Sequence, residues 1–163
     1  MKIEQRFIHG RSWCVFHVPT RDGLVFMKQE NYASQSDEYF IVFVDRMRFE
    51  SVWFKCGSRV VPELARGNEV IWRKDYKFHH AEKGFSHGIT NPVPLATLSA
   101  YSGYPHISFI DGITRTIWLL ANGTEQFPVF VYDENTATNL HNYIGVKASK
   151  ILSNNALFLR FNE

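Results

Sequence analysis

Cysteine is scarce, with Cys14 and Cys56 the only two in 163 residues, far apart and in no C-x-x-C spacing. Neither a disulfide framework nor a cysteine zinc site follows, and a reducing compartment fits best. Long apolar runs are missing too. The opening MKIEQRFIHGRSW carries no apolar signal region, and the strongest run, residues 39–44 (YFIVFV), is far too short to cross a bilayer. A cytoplasmic protein without membrane insertion is therefore expected. Charge of one sign is also lacking: 18 Lys and Arg against 16 Asp and Glu leave a formal charge of +2. With no helix-turn-helix pattern either, DNA is not a favoured partner. There is no G-x-S-x-G, Walker A sequence, dinucleotide glycine fingerprint or spaced histidine pair, so no catalytic and no metal-binding residue is assigned.

What is present is a foldable composition, 45% hydrophobic and 21% charged, without repeats, low-complexity tracts or a linker. At the usual ~100–200 residues per domain, one domain with one core is expected. Aromatics are abundant, with 14 Phe, 7 Tyr and 4 Trp, and packing is their default use because each buries a large area. Both cysteines sit inside apolar patterns, which predicts inert core thiols.

Residues 12–18 (SWCVFHV) and 23–28 (GLVFMK) flank the turn sequence PTRDG and predict a hairpin. Residues 39–45 read as a strand. Phe49, Val52, Trp53 and Cys56 then fall on one helical face, predicting a short helix over 48–56. Residues 76–85 have the pattern of one or two helical turns ended by Gly84 and Gly88. A proline-opened extended segment over 92–101, a strand over 104–110, a helix over 114–122 stopped by Gly123, and a strand over 127–132 follow. Asp133 to Thr136 offer capping side chains for a helix over 137–144, which Gly145 ends. A last strand is expected over 156–161 (ALFLRF).

Positive charge collects between Arg59 and Lys83, at Arg66, Arg73, Lys74 and Lys77, amid Glu63, Glu69, Asp75 and Glu82. This is either a solvated face or a contact surface, since Arg and aromatic residues are the types that dominate interfaces. His79 and His80 are adjacent and expected to point to different sides, so a solvated or partly packed pair is preferred to a metal site.

The segment ISFIDGITRTIWLLANG concentrates the most information. A glycine where a strand feeds a helix permits a tight turn, and the first helical N–H groups lack partners within the helix. Such a terminus attracts anions, so Asp111, Gly112, Thr114, Arg115 and Thr116 form a candidate phosphate or carboxylate site. The plainer alternative is a capped turn in which Arg115 pairs with Asp111 or Glu125.

This segment, with its G-x-x-R turn at Gly112 and Arg115 and the following proline-valine strand, resembles the central motif of the ParB/sulfiredoxin fold. With the preceding NPVPLATLSAY it is more specifically similar to plasmid fertility-inhibition factors. The likeness covers residues 91–145, extends loosely back to 66, and in residues 1–57 is limited to the order of elements. It implies a single α/β domain with a mixed sheet: an N-terminal β-rich hairpin elaboration over 1–57 and a ParB/sulfiredoxin-like core over 58–163.

The function it implies is fertility inhibition: binding a component of a conjugative type IV secretion apparatus, the coupling ATPase, and blocking transfer of a co-resident plasmid. Arg66, Arg73, Lys74, Lys77 and Lys83 are the candidate partner-binding residues. Where the sulfiredoxin branch places a cysteine and a histidine before the motif arginine, this chain has Ile113 and Thr114, so thiol chemistry is not implied. Where the nuclease-like branch has an ionisable group, Thr114 stands, and a threonine hydroxyl is no general base near neutral pH. A binding protein without hydrolytic activity is the expectation. The alternative is a nucleotide- or DNA-dependent phosphohydrolase working at the Gly112–Arg115 turn with a nucleotide and a divalent metal.

Overall fold

The computed structural model describes residues 1–30, 38–56 and 61–159. Three antiparallel strands open the chain, β1 (Lys2–Ile8), β2 (Arg11–Thr20) and β3 (Gly23–Glu30). The expected hairpin is β2–β3, with Thr20 opposite Gly23 across the Arg21-Asp22 turn. The sequence reading missed β1, whose K-I-E-Q-R-F-I alternates between two half-buried faces without an apolar run. Strand β4 (Phe40–Asp45) leads into α1 (Arg46–Cys56), which buries Phe49 and Trp53 of the expected face while Val52 and Cys56 are half-buried.

Two short helices, α2 (Pro62–Ala65) and α3 (Glu69–Arg73), were not expected from the mixed pattern. Local chemistry starts them: Pro62 pre-sets the first turn of α2, and the Asn68 side chain accepts from the Ile71 amide at 3.2 Å to cap α3. Helix α4 (Phe78–Ser86) runs through Gly84 rather than ending there. A Cβ at Gly84 would lie 3.5 Å from Val93 Cγ2, an ordinary contact, so neither space nor backbone there demands a glycine and the helix continues through it.

Strands β5 (Val93–Pro94) and β6 (Ala96–Ser99) belong to different sheets, so the chain crosses between them at Leu95, whose amide donates to the Lys28 carbonyl at 3.2 Å. The rest is β7 (Ser108–Asp111), α5 (Ile113–Ala121), β8 (Gln126–Val131), α6 (Glu134–Ile144), β9 (Leu152–Ser153) and α7 (Asn154–Leu159). The strand expected over 104–110 is confined to its end, because Pro105 has no N–H to give a ladder. Tyr101, Tyr104 and His106 gather their rings instead, Tyr101 lying 4.7 Å from His106.

The strand expected over 156–161 is corrected to helix α7; residues 160 and 161 lie outside the described residues. The Ser153 hydroxyl accepts from the Ala156 amide at 3.2 Å, a helix-starting cap, and the consecutive Leu157 and Phe158 are both buried, which no half-exposed strand allows.

The result is mixed α/β with two sheets, ordered β1-β2-β3-β5 and β7-β6-β8-β4-β9. Each has one parallel pairing, β3 with β5 and β6 with β8. One hydrophobic cluster joins them, running from Phe16 and Met27 of the first sheet through Ile41, Phe127 and Val129 of the second to the buried faces of α1, α5 and α6. Strand β4, drawn from the segment read as N-terminal elaboration, lies between β8 and β9 inside the second sheet. No helix among the described residues is long and apolar enough to cross a membrane.

Candidate functional site

The turn between β7 and α5 is built around Gly112, whose φ of +95° is left-handed. A Cβ there would come within 2.6 Å of the Ala96 Cβ and 2.7 Å of its Cα, so the turn lies directly on β6. The first bond of α5 is the Thr116 amide donating to the Gly112 carbonyl at 3.0 Å. The amides of Ile113, Thr114 and Arg115 precede that bond and have no acceptor in the helix.

Arg115 crosses the mouth of the turn. Its Nη2 donates to Asp111 Oδ2 at 2.6 Å and to the Leu95 carbonyl at 3.4 Å, with one fifth of the side chain exposed. Of the two partners the sequence left open, Asp111 is the one realised. Thr116 does not belong with the anion-binding group. Its side chain is 1% exposed and its hydroxyl donates to the Gly112 carbonyl at 3.0 Å, which turns it into the helix.

The turn forms one wall of a cleft of about 520 Å³ whose other wall is α4 and the residue before it. Lys77, His80, Ala81 and Gly84 face Phe109, Ile110, Asp111, Gly112, Thr114 and Arg115 across it. The basic segment and the glycine turn, two separate candidates in sequence, therefore share a site at Lys77. His80 was not expected there. Its signal was present in the helical spacing of 77, 80, 81 and 84, but nothing in the sequence says that this face meets the turn. His79 and His80 do not diverge as expected; their ring centroids lie 4.0 Å apart on the exposed side of α4. Among the described residues, no group of three His, Cys, Asp or Glu side chains is placed to hold a metal ion. A phosphate or carboxylate in the cleft would be met by the first amides of α5, Arg115 and Lys77.

The other basic residues divide by their commitments. Arg66, Lys74 and Lys83 are exposed outside the cleft lining. Arg73 is engaged within the chain. It pairs with Glu69 at 3.0 Å, donates to the Ala121 carbonyl at 3.2 Å and so ties α3 to the carbonyl end of α5, a favourable place for a cation. Glu69 also receives Arg21 at 3.3 Å, and hydrogen bonds from Arg21 and Arg73 hold its carboxyl below the usual range. Arg59 lies outside the described residues.

Comparison with known proteins gives a consistent set of likenesses. The model of the family described as Plasmid Fertility inhibition factor matches residues 41–145. Protein osa of Shigella flexneri is 38% identical over 125 residues, which are 76% of this chain and 64% of that protein, so the match spans less than two thirds of the relative's length. The crystal structure of Oncogenic Suppression Activity Protein, described as a plasmid fertility inhibition factor and determined as a gold(I) cyanide derivative, superposes with a TM-score of 0.73. Its identity is 26%, over 99% of this chain and 82% of that one.

Proposed function

The chain belongs to the plasmid fertility inhibition factor family, and on that premise we propose that it lowers conjugative transfer of a co-resident plasmid by binding a component of the transfer machinery. The coupling ATPase of the type IV secretion apparatus is the component proposed, met in the cytoplasm. The observation that carries the binding reading is the convergence of Lys77 and Arg115 on one cleft at the unpaired amides of α5. A partner offering an acidic side chain there meets Lys77, a helix N-terminus and Arg115, whose exposed Asp111 partner at 2.6 Å it must displace or share, with Lys74 and Lys83 outside the cleft to draw an acidic surface.

Arg115→Ala removes a charge-assisted contact and is expected to weaken partner binding by about 1.5–3 kcal/mol, while leaving the fold nearly intact. Lys77→Glu should cost affinity as well, because both side chains line one cleft. Pull-down of the coupling ATPase and transfer frequency in cells carrying a conjugative plasmid are the measurements. Loss in the Lys74→Glu and Lys77→Glu variants, with full inhibition by Arg115→Ala, would move the contact onto the basic segment and leave the turn structural.

A second reading, a nucleotide- or DNA-dependent phosphohydrolase, is favoured by His80. It brings an imidazole to the cleft, where the turn itself offers Thr114 before Arg115 and one carboxylate, Asp111, already bonded to Arg115. The binding reading expects purified protein with magnesium or manganese to release no phosphate from ATP and cut no DNA above background. Turnover abolished by both Arg115→Ala and His80→Ala would establish the second reading in its place.

A further inference from the structure

Strand β1 ends the first sheet, and among the described residues its ladder partner is β2 alone. An open edge of seven residues (Lys2–Ile8) is a template for another strand, which proteins usually blunt or cover. Here the edge carries a large apolar side chain, Phe7, at 77% exposure. Its charges also alternate in sign along one face, with Lys2, Glu4 and Arg6 on the face shared with Trp13 and His17; within the strand Glu4 lies 3.2 Å from Lys2 and 3.5 Å from Arg6, so pairing across an axis shares these charges between two strands.

We propose that this edge docks a second copy of the chain, the two β1 strands pairing antiparallel about a two-fold axis at Gln5. Residues facing each other across such an axis must lie on the same face of the joined sheet, so the register moves only in steps of two. Centring on Glu4 sets Glu4 against Glu4 and Lys2 against Arg6, both repulsive. Centring on Arg6 opposes two arginines, and centring on Ile3 leaves Phe7 and Ile8 unpaired.

Centring on Gln5 uses the whole strand. It places Glu4 opposite Arg6 twice, and Ile3 opposite Phe7 twice, so the exposed ring is covered. At the axis Gln5 opposes Gln5; each Nε2 already donates to Ser12 Oγ at 2.5 Å, which leaves its other N–H and Oε1 for the facing amide. The edge is thus complementary to itself in the one register that pairs all seven residues. A contact of this size is small, so the dimer is weak and forms with rising concentration.

The test is sedimentation equilibrium of the full chain. Wild type is expected to dimerise reversibly as concentration rises. Glu4→Arg alone opposes arginines, Arg6→Glu alone opposes glutamates, and each should weaken association at least about 10-fold. An equimolar mixture of the two variants restores both opposite-charge pairs and should recover association to within about threefold of wild type. Phe7→Lys alters an already exposed side chain, so it reports on the contact even if Glu4→Arg, which also loses the His17 pairing at 3.3 Å, fails to fold. A wild-type chain that stays monomeric to about 1 mM, a dimer indifferent to these substitutions, or a mixture no tighter than its components would overturn the proposal.

Discussion

Trp118→Ala is expected to lower the unfolding free energy by about 3–5 kcal/mol, the range for removing a buried tryptophan from a core. The ring is 9% exposed on the buried side of α5 and stacks on Phe85 of α4, with centroids 4.2 Å apart and planes at 21°. That contact joins the two walls of the cleft, because α4 carries His80 and Ala81 and α5 begins at the glycine turn. Truncation leaves a cavity between the helices, and α5 cannot collapse into it freely: Arg73 ties its far end to α3, donating to the Ala121 carbonyl at 3.2 Å and to Asn122 Oδ1 at 3.4 Å.

One effect works against the full loss. The indole Nε1–H is buried without an acceptor among the described residues, at a cost of about 1–3 kcal/mol that alanine recovers. The result should therefore fall at or below the low end of that range, at about 2–3 kcal/mol. Trp118→Phe, which keeps the stacking and removes that N–H, should cost less than about 1.5 kcal/mol. Urea unfolding followed by circular dichroism reads both variants. A loss below about 1 kcal/mol for alanine would mean that the ring does not fill the core.

Elements whose causes are local could be read from the sequence. The β2–β3 hairpin follows from its turn residues, and α6 begins where Asp133 accepts from the Thr136 amide at 2.8 Å. Gly112 and Arg115 stood out because a strand, a glycine turn and an apolar helix are consecutive. Position in the fold was harder to read. Strand β1 alternates without an apolar run and is held by its pairing with β2, while α7 depends on a serine cap within a stretch that reads as strand by composition. Half of the cleft was hidden for the same reason: Lys77 and His80 share it with Arg115 because α4 packs on α5, where Phe85 stacks on Trp118, a contact between residues far apart in the chain. Conversely, Arg73 looked like a free cation until the carbonyl end of α5 was seen to hold it.

Gly112→Ala is expected to damage stability and binding together, which separates it from Arg115→Ala. The backbone at +95° costs an L-residue about 1–2 kcal/mol whatever its surroundings. The added methyl would also lie 2.7 Å from the Ala96 Cα and 2.9 Å from Arg115 Nη2. The arginine end can swing aside, but Ala96 cannot, because it is paired in register with the fully buried Val129 of β8. The turn must therefore move off β6, adding about 1–3 kcal/mol of overpacking strain for a total of about 2–5 kcal/mol. As it moves, the free amides of α5 and the Arg115 guanidinium leave their common focus, so partner binding should fall at least as far as in Arg115→Ala. Gly10 supplies the control: its φ is +75° and a Cβ there meets nothing within 4 Å, so Gly10→Ala isolates the backbone cost. If the two alanine variants unfold at the same urea concentration, the approach of the turn to Ala96 contributes nothing. If Gly112→Ala is lower by the strain given above and also loses the partner, contact with β6 is what holds the site in place.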